Sequence, residues 1–184
     1  KDLKQLESLK LDFSDSQKIT DNGIQKISSK ALKHLKQLQS LKLKFSDCLK
    51  ITDRGLKNCA KGLKKLQELK SLKLDFSECR NLTNNGVKKV YCKGIKKLPL
   101  LTSLSLNFDG CDQITNQGVS YLSSQGLINL TELVSLSLNF TKCQEITEEG
   151  VSNLCSQGIK YLTRLTSLEL YLAYCWKMKV QGVN

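Results

Sequence analysis

The chain has 184 residues and carries 29 Lys and Arg against 17 Asp and Glu, a formal net charge of +12. That length is enough for one domain with a large core, and the absence of an 18-residue apolar run excludes a membrane-spanning helix. Lys outnumbers Arg 26 to 3, and the basic half holds only Arg54, Arg80 and Tyr91 as forks or stacking rings, which argues against sequence-reading of nucleic acid.

Leu9, Leu41, Leu72, Leu104, Leu136 and Leu168 mark one position in six successive copies, at separations of 32, 31, 32, 32 and 32 residues. A fixed period in this range means stacked supersecondary units. Each copy opens on L-x-S-L-x-L-x-F, as in Leu69-Lys70-Ser71-Leu72-Lys73-Leu74-Asp75-Phe76. The strict alternation predicts a half-buried strand, with Leu72, Leu74 and Phe76 inward and Ser71, Lys73 and Asp75 outward. Phe13, Phe45, Phe76, Phe108, Phe140 and Leu172 then form a buried ladder.

The spacing changes after each strand. Ile24, Ile27, Ala31, Leu32, Leu35 and Leu38 follow steps of three and four, as do Val151, Leu154, Gly158, Ile159, Leu162 and Leu165. These stripes predict five helices between the six strands. Thr20, Thr52, Thr83, Thr115 and Thr147 stand where N-caps belong. Asp21, Asp53, Glu148 and Glu149 follow and suit the positive end of the helix dipole. Gly62, Gly94, Gly126 and Gly158 resemble helix breakers, but the first copy has Ala31 there, and Ala resists positive φ. The position is read as a small residue inside a helix that lets neighbouring helices approach.

One strand and one helix cannot bury an apolar face alone, whereas stacked copies can. Helices are wider than the strand spacing, so the stack bends. The expected fold is an α/β horseshoe with a parallel sheet on the concave face and helices on the convex face.

The residues resemble leucine-rich repeat proteins of the cysteine-containing kind, C-x-x-I-T-x-x-G-[LV]. Here the motif stands as Cys48-Leu49-Lys50-Ile51-Thr52-Asp53-Arg54-Gly55-Leu56 and begins again at Cys79, Cys111 and Cys143. Such repeats are common in substrate-receptor subunits of ubiquitin ligases and in other scaffolds. The usual repeat is shorter, about 26 residues. The length here is closer to the long repeats of proteins from ciliated protists. No F-box precedes the repeats, so the ligase role is not carried over from the resemblance. Lys1 and Asn184 both cut a repeat, and neither end has the polar cap a solenoid needs. The 1–184 array of about six repeats is therefore expected to be a segment of a longer protein lacking both caps.

Cys48, Cys79, Cys111, Cys143 and Cys175 recur at the repeat period, with Ser16 in the first copy. A register-locked small residue is a core filler. Cys59, Cys92 and Cys155 fall on helices and are read the same way, as buried free thiols, which places the protein in a reducing, intracellular compartment, cytoplasmic or cytoskeletal and ciliary. Metal-ligand spacing is absent, and no cofactor is expected. The sequons at Asn81, Asn129 and Asn139 are discounted, since Asn and Thr are abundant and a glycan on Asn139 would crowd the wall.

Residues 1–99 hold 22 Lys and 2 Arg against 10 acids, a net of +14, and residues 100–184 a net of −2. Most of the lysines follow the helices, among them Lys64, Lys65, Lys96 and Lys97, and would join into a basic convex face. Lys10, Lys42, Lys44 and Lys73 line the concave wall, diluted by Asp12 and Asp75. The functional reading is an acidic partner, a protein rather than nucleic acid or membrane. The bland reading, a solvated lysine-rich surface, is preferred to it for the charge taken alone.

Catalysis finds no support. Asp12, Asp75 and Glu169 lie on separated rungs, and His34, on a helix, gives them no nucleophile–base pair. Only the last copy places large aromatics at solvent positions. Tyr171 stands where Asp12, Lys44, Asp75, Asn107 and Asn139 do, Tyr174 replaces Asp15, Asp47, Glu78, Gly110 and Lys142, and Trp176 replaces Gln17, Leu49, Arg80, Asp112 and Gln144. Tyr and Trp are typical interface anchors, and the three are read as a contact site on one rim of the wall. The alternative is packing on a following cap. The function expected is a non-catalytic protein–protein scaffold, a subunit of a large intracellular assembly such as a ciliary one. A substrate-recognition module of a ubiquitin ligase or signalling protein is the alternative.

Overall fold

The computed structural model describes residues 3–178. Lys1 and Asn184, on which the expectation about missing caps falls, lie outside the described residues. Six strands, β1 (Ser8–Asp12), β2 (Ser40–Lys44), β3 (Ser71–Asp75), β4 (Ser103–Asn107), β5 (Ser135–Asn139) and β6 (Ser167–Tyr171), form one parallel sheet in chain order. Helices α1 (Asp21–Lys26), α2 (Asp53–Leu63), α3 (Asn84–Lys93), α4 (Asn116–Gln125) and α5 (Glu148–Gln157) supply the crossovers on the other side of the core. The register is the one the period dictates, with Leu9 opposite Leu41, then Leu72, Leu104, Leu136 and Leu168. The fold is thus an α/β solenoid with the sheet on its concave face.

The core lies between sheet and helices. The rings of Phe13, Phe45, Phe76, Phe108 and Phe140 stack one on the next, with centroids 5.5, 5.3, 6.2 and 6.0 Å apart. Phe45, Phe76, Phe108 and Phe140 are buried, while Phe13 and Leu172 are half-buried, because each is covered by a rung on one side only. Every periodic cysteine does more than fill space. Cys48 Sγ donates to Phe13 O (3.1 Å), Cys79 to Phe45 O (3.1 Å), Cys111 to Phe76 O (3.2 Å), Cys143 to Phe108 O (3.3 Å) and Cys175 to Phe140 O (3.3 Å). Each of these carbonyls already accepts a backbone amide in its own turn, as Phe45 O does from Cys48 N at 3.2 Å, so the thiol is a second donor that ties one rung to the next.

Two expectations are corrected. Asp75 does not point into solvent but is buried. Its Oδ1 accepts from Ser77 N, Ser77 Oγ (2.8 Å) and Asn107 Nδ2 (3.0 Å), so the short carboxylate folds back to cap the turn after its own strand. The glycines Gly94, Gly126 and Gly158 are not inside helices. They end α3, α4 and α5 at φ −119°, −108° and −128° and hand over to short 3-10 turns. A Cβ on Gly94 would lie 2.9 Å from Ala60 Cα, and one on Gly158 would lie 2.8 Å from Ser123 Cα, so the close approach of successive helices is real. Ala31 has no earlier helix against it.

The single 31-residue copy explains these helix ends. From Gly55 to Leu72 there are 17 positions, against 18 from Gly86 to Leu104. α2 runs unbroken to Leu63. The other copies must accommodate one more residue, and the first does so by a π-helical turn at Ile27–Ala31.

Candidate functional site

The motif Ile-Thr-x-x-Gly builds a ladder between rungs. Asp21 Oδ1 accepts from Thr52 N (2.9 Å) and its Oδ2 from Thr52 Oγ1 (2.7 Å). Asp53 holds Thr83 in the same way at 2.9 and 2.7 Å. With Asn the hydroxyl bond reverses: Asn84 Oδ1 accepts from Thr115 N while its Nδ2 donates to Thr115 Oγ1 (3.0 Å), and Asn116 grips Thr147 alike. Thr52, Thr83 and Thr115 also accept from the amides of Arg54, Asn85 and Gln117, completing the N-caps; Thr20 and Thr147 make no side-chain cap bond. Asp21 and Asp53 therefore act mainly on the next rung. The following glycine makes room for them: a Cβ on Gly86 would lie 2.5 Å from Asp53 Oδ1. These bonds fix the spacing of the surfaces that remain exposed.

The concave wall is graded. Its central column reads Lys10, Lys42, Lys73, Ser105, Ser137, Glu169, in register across all six strands. Neighbouring rungs lie about 4.8 Å apart, so three ammonium groups crowd one end. Desolvation, then the charges of Lys73, Lys10 and Lys44, hold the Lys42 pKa below its usual value. Lys44 has an acidic neighbour, Asp12, at 3.6 Å. The Ser14 hydroxyl and amide, ahead of Lys44 itself, hold Asp12 below the usual carboxylate range. No carboxylate reaches Lys10, Lys42 or Lys73 among the described ion pairs.

The turn after each strand holds a residue in the left-handed region: Asp15, Asp47, Glu78, Gly110, Lys142 and Tyr174, at φ from 54° to 69°. Gly110 leaves a gap in this column. Across it Lys142 Nζ reaches Glu78 Oε1 (3.0 Å) and Asp109 Oδ1 (3.6 Å), while Arg80 binds Glu78 from the other side at 3.0 Å. Lys142 and then Arg80 hold the Glu78 carboxyl low, and Glu78 raises the Lys142 pKa. Sequence reading missed this cluster because its members sit two rungs apart.

Tyr174 is the last member of this column, and Trp176 follows it two residues on. Their ring centroids are 5.7 Å apart at 57°, and they are 60% and 71% exposed. Tyr171 is 49% exposed on the wall itself, and Leu168 is exposed on the same strand. The structure pairs Tyr174 with Trp176, and Tyr171 makes no ring contact with either among the described residues. The lysines fall on two separate surfaces. Lys42, Lys44 and Lys73 are on the wall, whereas Lys64, Lys65, Lys96 and Lys97 lie at the helix ends on the opposite side. Of these, Lys64 and Lys97 border one hollow of about 410 Å³, floored by Gln67, which donates to Lys64 O and Lys97 O.

Tyr91, named as a stacking candidate, is fully buried and lies under Gly126, where no side chain would fit. Cys155 is exposed and Cys92 half-buried, donating to Gln125 Oε1 at 3.3 Å; the expectation that all helix cysteines are buried holds only for Cys59. Their periodicity was weaker, and the outer helix face tolerates either outcome. All eight cysteines are free thiols in the structure. Burial pushes the Cys59 and Cys79 thiols up to about 12. Among the described residues no three His, Cys, Asp or Glu side chains converge as a metal site requires, and no helix is long and apolar enough to cross a membrane. Asp12, Asp75 and Glu169 do not form a catalytic pair, since Asp75 is consumed by its turn and Glu169 is three rungs beyond it. His34 lines a hollow at the first edge, away from the wall.

A family model described as leucine rich repeat matches residues 6–28. The fold is a leucine-rich-repeat solenoid. Among solved structures, leiomodin-1 actin-binding site 2 is similar, with a TM-score of 0.55 and 16% identity over 86% of this chain and 84% of that one. Internalin C2 of Listeria monocytogenes str. 4b F2365 aligns over 94% of this chain and 80% of that one at 19% identity, with a TM-score of 0.32. No curated protein matches the sequence.

Proposed function

We propose that this leucine-rich-repeat solenoid is a non-catalytic protein–protein interaction scaffold, a structural subunit of a large intracellular assembly, with ciliary assemblies as one setting. The observation that carries the reading is the Tyr174–Trp176 pair, two aromatic rings in contact with each other and mostly in solvent. Aromatics of this kind on a polar rim supply large contact area at low entropic cost when a partner covers them. The leiomodin-1 segment, of similar fold, is an actin-binding site, which fits a cytoskeletal setting for this reading.

A second reading is a recognition module, as in a ubiquitin ligase or signalling protein, that takes an exchangeable acidic segment. The Lys10–Lys42–Lys73 column favours it, because among the described residues these charges lack ion-pair partners and would gain them from an acidic chain laid across the rungs. Selection of a displayed peptide library against the immobilised protein tests both. Apolar peptides lost on Trp176→Ala support the scaffold. Acidic peptides lost on the double change Lys42→Gln and Lys73→Gln, with steep salt dependence, support recognition. Ligands indifferent to both sets of changes would remove the concave face from the account.

A further inference from the structure

A second surface, on the helix side, has the properties of a small-molecule site. Between the first helical layer and α2 lies a groove of about 490 Å³, within the range of about 300–1,000 Å³ common for ligand sites. Lys33, Lys61, Lys64 and Lys65 ring it, and no carboxylate among the described residues lines it. None of the four has an ion-pair partner among the described residues. Asn58 is buried in the groove; its Nδ2 donates to Asp21 O (3.1 Å) and its Oδ1 accepts from Lys61 Nζ (3.3 Å), which positions that ammonium at the opening.

The decisive feature is Ser28. It lines the groove, is 5% exposed, and its hydroxyl has no hydrogen-bond partner. A buried orphan hydroxyl costs stability, and each such group calls for an explanation. Ser28 also sits in the π-helical turn Ile27–Ala31, a geometry that occurs often at functional sites. Gly62 opposite leaves it space: a Cβ there would lie 2.9 Å from Ser28 Cβ. The hydroxyl is covered where it stands, against Gly62, and reaches the groove on rotation about χ1; that donor and four cations at the mouth complement one ligand class. Phosphate oxygens accept from both, and Lys is a common point-charge partner for them.

We propose that this groove binds a compact ligand carrying two or more phosphate groups. The four lysines neutralise its charge, and the Ser28 hydroxyl, turned about χ1, donates to one phosphate oxygen. The groove's volume and its four cations exceed what a single phosphate would use.

Titration calorimetry with inorganic tripolyphosphate tests the site, with vesicles of phosphatidylcholine bearing phosphatidylinositol bisphosphate as a second arm. Saturable one-to-one binding of tripolyphosphate is expected. Binding to the vesicles as well identifies a lipid headgroup as the source of the phosphates, and binding only in solution identifies a soluble ligand. Lys64→Gln with Lys65→Gln should weaken binding about tenfold or more, whereas the charge-matched pair Lys88→Gln with Lys89→Gln should change it less than about twofold. Ser28→Ala should weaken binding severalfold and leave the melting temperature unchanged or higher, since it deletes an unsatisfied group. Equal losses from the two lysine pairs, an unaltered affinity in Ser28→Ala, tighter binding of single-stranded RNA than of tripolyphosphate, or no saturable binding would each overturn the proposal.

Discussion

Asp53 on one rung holds Thr83 on the next, its two oxygens accepting from the threonine amide at 2.9 Å and hydroxyl at 2.7 Å. The glycine that follows, Gly86, would put a Cβ 2.5 Å from the same carboxylate. The two residues are therefore coupled. Gly86→Ala should destabilise the protein by about 1–3 kcal/mol, and Asp53→Ala by about 1–2 kcal/mol through the lost bonds. The double variant should be less damaged than the sum, because without the carboxylate the added methyl has room. Urea unfolding of the four proteins measures the coupling, and simple additivity would contradict it.

Phe76 is stacked between Phe45 and Phe108 at 5.3 and 6.2 Å and has no exposure. Phe76→Ala should cost about 3–5 kcal/mol. Phe13→Ala should cost less, since its ring is covered on one side. Equal costs would mean that the stack does not set the core energy.

Thiol chemistry should separate the cysteines by exposure. In the native protein a disulfide-exchange reagent should modify Cys155 first and Cys92 more slowly, leaving the other six for the unfolded state, where all eight react. Rapid native modification of Cys79 or Cys111 would contradict the burial assigned to the periodic column.

The same burial predicts an alkaline limit. Cys59 and Cys79 are raised from 9.0 to about 12 in the folded protein. A raised folded pKa stabilises fully below the unfolded value, and that contribution is lost as pH climbs from about 9 toward 12. Unfolding free energy measured at pH 8, 9.5 and 11 should fall steadily, and Cys59→Ala should flatten the slope. An unchanged slope in that variant would assign the alkaline loss to other groups.

The strands, their register and the aromatic ladder were legible in the sequence because alternation and a fixed period leave one consistent arrangement. The bonds of Asp53 and Thr83 were not, since both residues also suit an N-cap and nothing local reveals the neighbouring rung. Asp75 was misread because alternation gives the side of the sheet but not whether a short carboxylate folds back onto its own turn. The glycines at the helix ends were read correctly as close contacts and wrongly as interior. One extra residue per copy, visible only by comparing Gly55–Leu72 with Gly86–Leu104, sets where each helix stops. The aromatic set of the last rung was visible as a departure from the period, but the contact between Tyr174 and Trp176 required coordinates.

The affinity of a selected partner peptide for Trp176→Ala, set beside Tyr161→Ala, tests the proposed contact rim most directly. Tyr161 is also a large exposed ring, 51% accessible, but it lies on the helix side. The account predicts that Trp176→Ala weakens association by more than about 1 kcal/mol, with an unchanged melting temperature, while Tyr161→Ala has no effect. Unchanged affinity in Trp176→Ala, or equal losses from the two variants, would contradict it.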